Sequence, residues 1–388
     1  LTQRFSALSM KFSINSNVLS EALDIVSGAL SSKPKSDIWK CVHLHRLGDT
    51  LQLRTMDSEL GFSIRHTLPM DFSSEPNENL DQIAVPAQHF LEACRALPDV
   101  PITFESRNDY SIVLEHENGR YVWMGYNGTQ FPDFPLISEE ESVKIDRKRL
   151  KLAWDLVGFA ASKDSSRIGM MGFFLEIEKD VVRGVTTDGH RLAMCALKGV
   201  DNDTTATALI PLKVFQQATR IAGEDECTIQ TNKDSISFSF GPTCLVSTLI
   251  DAKFPNYRRV IPTSNDKVVH LLKDDLYNSV RRVNIFASRA SHQVILDCKE
   301  AEVEVSAHDP ERSSKGRERI RCEYLGDRMQ IGFNATYLQE SLRYVPAEDI
   351  NLALGTPSRA ALITPVEQDE SFECTILIMP VMLNTFQA

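Results

Sequence analysis

Three short stretches of the sequence share one pattern and decide the fold. They read Phe12-Ser-Ile-Asn-Ser-Asn-Val-Leu19, Val143-Lys-Ile-Asp-Arg-Lys-Arg-Leu150 and Val269-His-Leu-Leu-Lys-Asp-Asp-Leu276. In each stretch an aliphatic residue lies five positions before the final leucine, an apolar residue follows that leucine by four positions, and a valine follows it by seven. Positions i, i+4 and i+7 form the apolar stripe of an amphipathic helix. The pattern therefore predicts, three times, a short strand that leads into a helix.

A second strand-helix pattern follows each of these stretches. It spans Val85–Arg95, Ile210–Arg220 and Phe333–Arg343, with an apolar residue five positions before the final arginine in all three. Pro86 and Pro211 suit the start of a helix, where the missing backbone N–H is not needed. Six helices in one repeated order indicate an internal triplication.

Alternating strand-like segments separate the two helices of each repeat and end in an aspartate, at Asp57, Asp188 and Asp309. Such alternation is typical of half-buried strands. The sequence thus predicts an α+β protein with three tandem domains, each with two helices on antiparallel sheets. We expect these domains to span 10–138, 139–266 and 267–388, after an extension formed by residues 1–9. A tandem array that does not close into a ring remains an alternative.

The bulk composition excludes some classes of protein and leaves others open. The chain has 388 residues, of which 42% are hydrophobic and 24% charged, as expected for a globular protein of more than one domain. No apolar run approaches the roughly 18 residues that cross a bilayer. The eight cysteines form neither a CxxC pair nor a zinc-type cluster, so we expect reduced, buried thiols in a cytoplasmic protein, with no metal and no cofactor.

The net charge of −11 argues, taken alone, against a protein that binds nucleic acid. Basic residues nevertheless recur on or beside the six predicted helices, and a protein can separate acid and base onto different surfaces. Each such residue taken singly is also explained as a solvated surface charge, but the recurrence at Arg95, Arg220 and Arg343 favours a shared orientation. The residues that we expect to face DNA are Lys33, Arg95, Lys151, Lys213, Arg220, Arg282 and Arg343. Contacts of this kind are made to the DNA phosphates and do not depend on the base sequence, and the binding affinity falls as the salt concentration rises.

Equal domains in series tend to curve, and a curve that closes does so head-to-tail. If six helices lined a hole at a spacing of about 10 Å, only roughly 9 Å would remain open, which is too narrow for a duplex. Twelve helices from two chains would leave a hole of roughly 28 Å. A ring that encircles DNA should therefore be a dimer.

Four motifs give the chain a close resemblance to the bacterial DNA sliding clamp, the beta subunit of DNA polymerase III. They are Thr187-Asp-Gly-His-Arg-Leu-Ala193, Phe254-Pro-Asn-Tyr-Arg-Arg-Val-Ile-Pro262, Ile331-Gly-Phe-Asn-Ala-Thr-Tyr-Leu338 and Ile378-Met-Pro-Val381. The resemblance runs from Met10 to about Leu383 and implies a non-catalytic processivity factor of the DNA-directed DNA polymerase III holoenzyme. It also implies a head-to-tail dimeric ring around double-stranded DNA.

The same resemblance implies a peptide-binding cleft between the second and third domains. Its expected partners are the replicative polymerase alpha subunit, the clamp loader, and other polymerases and repair proteins, each through a short motif. Apolar side chains would form an adaptable pocket, with Arg and His at its edge to hold acidic or polar parts of the peptide. The residues carried over are Arg167, Met170, Thr187, Gly189, His190, Arg191, Leu192, Pro255, Arg259, Val260, Met379, Pro380 and Val381.

The resemblance further implies a dimer interface in which Ile285 and Phe286 pack against a strand near Tyr121 and Trp123. A core position for these four residues is the alternative. The loop at 164–169 departs from the family, since Ile168 and Gly169 stand where aromatic residues often follow the arginine, so its contact with DNA is open. The final segment 384–388 lies next to the expected cleft and could partly cover it.

Two other functions compete with the clamp interpretation. A binding scaffold of the same fold that never closes on DNA is the main alternative. A hydrolase built on Asp188 and His190 is a distant one, because acid-base catalysis needs a nucleophile, water or metal that no motif here supplies. Asp188 also recurs as Asp57 and Asp309, which favours a turn-forming role.

Overall fold

Six helices occupy the six predicted positions in the computed structural model, which describes residues 10–31, 33–76, 81–135, 137, 142–221 and 225–383. The predicted extension 1–9 and the predicted covering segment 384–388 lie outside these residues. The helices are α1 (Ser16–Ser27), α2 (Ala87–Ala96), α3 (Arg147–Val157), α4 (Leu212–Arg220), α5 (Lys273–Val283) and α6 (Ala335–Arg343). Pro86 and Pro211 each lie one residue before the helix, at the end of the preceding strand.

The first helices of the repeats bury the predicted stripe, except that Trp154 of α3 is half-buried. In α1 the side chains of Leu19, Leu23 and Val26 are fully buried, and in α5 those of Leu276 and Val280 are. Full burial of one such side chain stabilises the fold by about 1.5–3 kcal/mol. The apolar spacing therefore fixes which face of each helix turns inward.

The described strands form four antiparallel sheets. In chain order they are β1 (Lys11–Asn15), β2 (Cys41–Leu47), β3 (Thr50–Asp57), β4 (Phe62–Pro69), β5 (Gln82–Pro86), β6 (Pro101–Ser106), β7 (Ser111–His116), β8 (Gly119–Met124), β9 (Tyr126–Asn127), β10 (Ser142–Asp146), β11 (Gly172–Glu178), β12 (Asp180–Thr187), β13 (Arg191–Val200), β14 (Ala206–Pro211), β15 (Glu226–Thr231), β16 (Ser235–Phe240), β17 (Thr243–Thr248), β18 (Lys267–Leu272), β19 (Gln293–Lys299), β20 (Glu302–Asp309), β21 (Ser314–Arg321), β22 (Glu323–Tyr324), β23 (Met329–Asn334), β24 (Asp349–Leu354), β25 (Ala361–Pro365) and β26 (Phe372–Ile378).

Two of the sheets belong to one repeat each, and two join neighbouring repeats. The four-stranded sheets have the orders β1-β6-β7-β8 and β21-β20-β19-β23. The nine-stranded sheets have the orders β10-β15-β16-β17-β4-β3-β2-β5-β9 and β14-β11-β12-β13-β26-β25-β24-β18-β22. Strand β4 of the first repeat thus pairs with β17 of the second, and β13 of the second pairs with β26 of the third.

The chain divides into two compact units that do not follow the three predicted segments. The first unit contains the residues up to Ile145 together with Arg220–Leu249, and the second contains Asp146–Thr219 together with the residues from Ile250 onward. The middle segment contributes to both because its strands complete sheets of both neighbours. The boundaries 10–138, 139–266 and 267–388 therefore stay a prediction.

A buried threonine closes the first helix in two of the three repeats. The Thr55 hydroxyl donates to the Val26 carbonyl at the end of α1, and the Thr186 hydroxyl donates to the Val157 carbonyl at the end of α3. Both threonine side chains are fully buried. The third repeat has Ala307 at the same place, two residues before its aspartate, and so has no hydroxyl there.

Candidate functional site

The predicted cleft residues come together where β13 meets β26. Arg191 lies opposite Ile378 and Leu192 lies opposite Leu377 in this antiparallel pair. One residue further, the backbone N–H of Met379 donates to the carbonyl of His190 at 2.8 Å. The pairing therefore brings the motif at 187–193 beside the motif at 378–381, although almost two hundred positions separate them in the chain.

A tight turn presents the first motif. Gly189 has a φ of +85°, a conformation that suits glycine because it has no Cβ. The Thr187 hydroxyl accepts a hydrogen bond from the Gly189 N–H at 3.1 Å and donates to the Arg191 carbonyl at 2.7 Å. These bonds leave His190 exposed at the tip, where its ring stacks on Tyr337 with 5.5 Å between centroids.

The side-chain carboxylate of Asp188 holds this turn by accepting hydrogen bonds from the backbone. Its Oδ1 accepts from the backbone N–H of His190 at 2.8 Å and from that of Arg191 at 3.0 Å. Asp57 accepts in the same way from the residue two positions later at 3.2 Å, and Asp309 does so at 3.1 Å. The prediction that the recurring aspartate is a turn-former is confirmed.

Arg191 lies in the site as a buried cation with two acidic partners. Its side chain is only 7% exposed and forms ion pairs with Asp188 at 3.2 Å and with Glu340 at 2.5 Å. The guanidinium also lies 5.1 Å from the ring centroid of Phe159 and 4.9 Å from that of Tyr337. In the chain alone this cation is buried and paired twice, and its expected contact with an acidic part of a peptide stays a prediction.

Apolar side chains form the floor beside this turn. Leu192 and Leu377 are buried in one cluster with Phe254 and Tyr257. Tyr257 is fixed there because its hydroxyl donates to Glu176 at 2.6 Å, and burial together with that carboxylate raises its pKa. The predicted residues Pro255 and Pro380 are half-buried, as is Val381.

Exposed apolar side chains follow the buried residues of that floor in sequence. Val260 is 52% exposed, Met379 is 42% exposed, and Met382 is 76% exposed. Methionine adapts to irregular partners because its side chain is unbranched and polarizable. Arg259, also exposed, supplies a cation nearby in sequence. The arrangement can hold a short apolar segment with a polar or acidic neighbour.

The 164–170 loop packs against the same turn. Arg167 donates to the Asp188 carbonyl at 2.7 Å, and the sulfur of Met170 would lie 3.8 Å from a Cβ built on Gly189. A Cβ on Gly169 would lie 2.5 Å from the carbonyl oxygen of Lys253. No side chain fits at that position, which explains why this loop departs from the aromatic pattern. Ile168 beside it is 56% exposed.

Sequence reasoning missed Tyr337 and Glu340, both on α6. Tyr337 stands within the quoted motif at 331–338, so its presence was visible but its stacking on His190 was not. Nothing in the local pattern around Glu340 signals an ion pair with a residue so distant in sequence. Such pairs depend on which strands become neighbours, and that is a long-range property.

Two of the predicted interface residues lie on the edge strand β8, and the other two lie in a 3-10 turn directly after α5. Tyr121 is 42% exposed on β8, and the Trp123 ring lies 6.0 Å from Phe90 of α2 on the same face. Ile285 is 75% exposed and Phe286 is 40% exposed directly after α5. The alternative that all four are core residues is wrong for Tyr121, Ile285 and Phe286, and Trp123 is half-buried.

The predicted DNA-facing residues are at the surface or partly so, and Arg95, Arg282 and Lys151 have acidic partners among the residues that the structure describes. Arg95 pairs with Asp24 at 2.6 Å, Arg282 pairs with Glu318 at 2.6 Å, and Lys151 pairs with Asp155 one turn along α3. The other four are Lys33, Arg220 and Arg343, which are exposed, and Lys213, which is half-buried. The basic surface is therefore partly neutralised within the chain.

The cysteines behave as predicted. All eight are free thiols, six of them buried and two half-buried. Burial raises the pKa of Cys94 to about 12, and that of Cys374 likewise, so these thiols stay protonated. Within the described ranges, His, Cys, Asp and Glu side chains form no group of three or more that could hold a metal ion. No helix in the same ranges is long and apolar enough to cross a membrane.

Three family models match the chain in succession. They describe the N-terminal domain of the DNA polymerase III beta subunit at residues 10–135, its central domain at 144–256 and its C-terminal domain at 258–382. Beta sliding clamps of Pseudomonas aeruginosa and Escherichia coli K12 are each 26% identical to the chain, over 96% of the chain and the whole of each relative.

Solved structures agree with these matches. A sliding clamp of Pseudomonas aeruginosa bound to griselimycin superposes with a TM-score of 0.89 at 25% identity, covering 97% of this chain and all of that one. The beta subunit of Thermotoga maritima shares the fold with a TM-score of 0.87. The fold class is that of a three-domain DNA clamp. The chain belongs to the bacterial beta sliding clamp family, and it is thus a non-catalytic processivity subunit of DNA polymerase III.

Proposed function

We propose that two copies of the chain close head-to-tail into a ring around duplex DNA, and that the ring tethers a polymerase through the cleft described above. The observation that supports closure is a pair of unoccupied sheet edges. Each four-stranded sheet has one edge strand that pairs further with its own chain: β1 forms an isolated β-bridge with Phe72, and β23 forms one with Val381. Strands β8 and β21 have no strand on their outer sides among the described residues.

The two open edges, β8 and β21, both have exposed apolar side chains on or beside them. On β8, Tyr121 and Trp123 share the face that packs on α2. On β21, the corresponding face carries Gly316, where an added Cβ would lie 2.7 Å from the ring of Phe286. If β8 of one copy paired with β21 of another, exposed apolar side chains of both edges would meet on one face. Pairing also removes two open edges, which otherwise invite aggregation.

The helices support a sequence-independent contact with double-stranded DNA. In the third repeat, Arg281, Arg282 and Arg343 cluster on α5 and α6, which pack together. No ion pair to Arg281 or Arg343 is found in the described part of the chain, whereas Arg95 on α2 is paired with Asp24. Contacts that are few and made through phosphates suit a protein that slides.

The cleft supports binding of short peptide motifs from the polymerase alpha subunit, the clamp loader and other polymerases or repair proteins. Its buried floor at Leu192 and its exposed Met379 and Val260 offer an apolar slot with adaptable walls. We also keep three domains at 10–138, 139–266 and 267–388, and a cytoplasmic location, as parts of this proposal. Free thiols at all eight cysteines are consistent with that location.

Retention on circular DNA tests the ring. The protein is loaded with a clamp loader onto nicked circular DNA, and the circle is then cut once. A ring should stay on the circle and slide off the linear product. Equal retention on both forms would favour the alternative, a scaffold of the same fold that does not encircle DNA.

Substitution of Met379 and Pro380 by alanine tests the cleft. The double variant should lose binding of a peptide carrying the alpha subunit's clamp-binding motif, because both side chains line the apolar slot. Its dimer mass should be unchanged, since neither residue lies near β8 or β21 in sequence. Peptide affinity equal to that of the unsubstituted protein would refute this assignment.

A further inference from the structure

The segment Met379–Leu383, called here the C-terminal strap, is held from both sides. On one side the Met379 N–H donates to the His190 carbonyl at 2.8 Å. On the other side the Val381 N–H donates to the Gly332 carbonyl at 2.8 Å, and the Gln293 side-chain amide donates to the Met382 carbonyl at 2.8 Å. The strap therefore crosses from the turn after β12 to strand β23, and the predicted peptide contacts Met379–Val381 lie within it.

Gly332 allows the strap to approach β23 closely. A Cβ on this residue would lie 2.8 Å from the Val381 carbonyl oxygen, 3.0 Å from Cδ2 of Leu383 and 3.0 Å from Nε2 of Gln293. The first of these is a backbone atom and cannot rotate away. Any side chain at position 332 would thus push the strap outward.

The other repeats show that this glycine is particular to the third. Gly332 corresponds to Ala84 and Leu209, each three residues before the start of the second helix of its repeat. In the second repeat the Ile250 N–H donates to the Leu209 carbonyl at 2.8 Å, as Val381 does to Gly332. The Leu209 side chain lies in an apolar cluster that Ile250 packs against. The backbone contact is therefore common to two repeats, and only the strap has a glycine beneath it.

The strand that carries Gly332 leads directly into the helix that supports the opposite side of the cleft. Asn334 caps α6 by accepting from the N–H groups of Thr336 at 2.9 Å and Tyr337 at 3.2 Å. From α6, Tyr337 stacks on His190 and Glu340 pairs with the buried Arg191. A displacement of the strap relative to β23 would therefore change the distance between the strap and α6, which lie on opposite sides of the proposed cleft.

We infer that Gly332 is a positioning residue for the cleft: it fixes the height of the strap, and the strap presents Met379–Val381 to the partner peptide. This inference rests on the proposed peptide-binding function. It goes beyond the contact residues because Gly332 is buried in β23 and contributes no side chain to a ligand. Its influence must come through the position of the strap.

Gly332→Ala and Gln293→Ala test the inference, with Gly199→Ala as the matched control. Gly199 has a φ of +63° and no atom within 4 Å of an added Cβ, so alanine there strains β13 without touching the strap. The probe is a fluorescein-labelled peptide with the clamp-binding motif of the polymerase alpha subunit. Gly332→Ala should bind it about tenfold more weakly, as expected if the competent strap position falls to roughly a tenth of the population.

Gln293→Ala removes a hydrogen bond and adds no atom, so it covers the case in which Gly332→Ala does not fold. It should weaken the peptide by about two- to threefold under the same population argument. Hydrogen exchange provides the signature of displacement: the amides of Met379 and Val381 should exchange faster in both variants. Gly199→Ala should change neither the affinity nor those two amides, although it lowers the melting temperature.

The outcomes separate this inference from the proposal on which it depends. If the unsubstituted dimer does not bind the probe, the peptide-binding function itself fails. If it binds, and the folded variants at Gly332 and Gln293 bind equally well, the positioning role is overturned. The role is also overturned if Gly199→Ala weakens the peptide as much as Gly332→Ala does, because general strain would then account for the loss.

Discussion

Ile285→Asp should dissociate the proposed dimer. Ile285 is 75% exposed in the single chain, and full burial of an isoleucine side chain is worth about 1.5–3 kcal/mol. Its contribution to one interface is thus about 1.5–2 kcal/mol. A carboxylate forced against apolar neighbours adds a desolvation cost of at least about 2 kcal/mol. The sum, about 4 kcal/mol, weakens one interface by roughly a thousandfold.

A head-to-tail ring of two chains has two such interfaces, so the substitution acts twice. Sedimentation equilibrium at micromolar concentration should then report a monomer for Ile285→Asp. The matched control is Leu325→Asp, which makes the same change of charge at a leucine that is 98% exposed. The control should remain dimeric. A dimeric Ile285→Asp protein, or a control that dissociates equally, would refute the reasoning.

Three further predictions concern DNA, the core and pH. Replacing Arg281 and Arg343 by alanine should reduce salt-dependent retention on circular DNA more than Arg95→Ala does, because Arg95 is already paired within the chain; equal losses in a salt titration would contradict this. Thr186→Val should destabilise the second unit by about 1–3 kcal/mol in urea while Thr186→Ser should not, since only valine leaves a buried carbonyl without its donor. Burial, with a lesser contribution from a neighbouring arginine, lowers the pKa of His43 to about 3. Between about pH 6.5 and pH 3 the unfolded state therefore binds one more proton than the folded state. The free energy of unfolding should fall by about 1.4 kcal/mol for each pH unit as the pH drops through this range. His43→Gln should flatten that dependence in urea unfolding measured across this range, and an unchanged slope would contradict the assignment.

The local patterns of the sequence predicted the helices and their buried faces well. The stripe at Leu19, Leu23 and Val26 is a short-range signal, and each helix needs only its own residues to define it. Strand partners across repeats could not be predicted in the same way. The pairing of β13 with β26 joins segments almost two hundred positions apart, and no periodicity within either segment encodes its partner.

In the candidate site, too, the short-range features were predicted from the sequence and the long-range contacts were not. Its apolar residues were identified from motifs, but the environment of Arg191 was not, because burial and pairing with Glu340 depend on the position of α6. An arginine in a motif signals that the residue matters without telling whether it binds a ligand or supports the turn. Here the guanidinium forms ion pairs with Asp188 and Glu340 in the chain alone.

The triplication would suggest an equivalent of the proposed cleft at the first junction, but the residues there differ in chemistry. Thr248 occupies the place of Met379 and donates through its backbone N–H to the Gly61 carbonyl at 3.3 Å. Its hydroxyl also donates to the Leu60 carbonyl at 2.9 Å, so the side chain turns back onto the sheet. Nearby, Arg65 lies over the Phe134 ring at 4.6 Å. A small polar residue at the first junction therefore stands where the proposed cleft has a methionine, and we expect the first junction to bind no such peptide.

The shared nine-stranded sheets set a limit on how the chain can be cut into pieces. Seven residue pairs join β13 to β26, from Arg191 with Ile378 to Leu197 with Phe372. A fragment that ends at a repeat boundary would leave one of these strands without its neighbour. Its unpaired backbone N–H and C=O groups would then be free to pair with other chains. Single repeats expressed alone should accordingly form aggregates or swapped oligomers, whereas fragments that keep β13 and β26 together should remain monodisperse. We therefore expect the smallest fragment of this protein that folds alone to be larger than one of its three repeats.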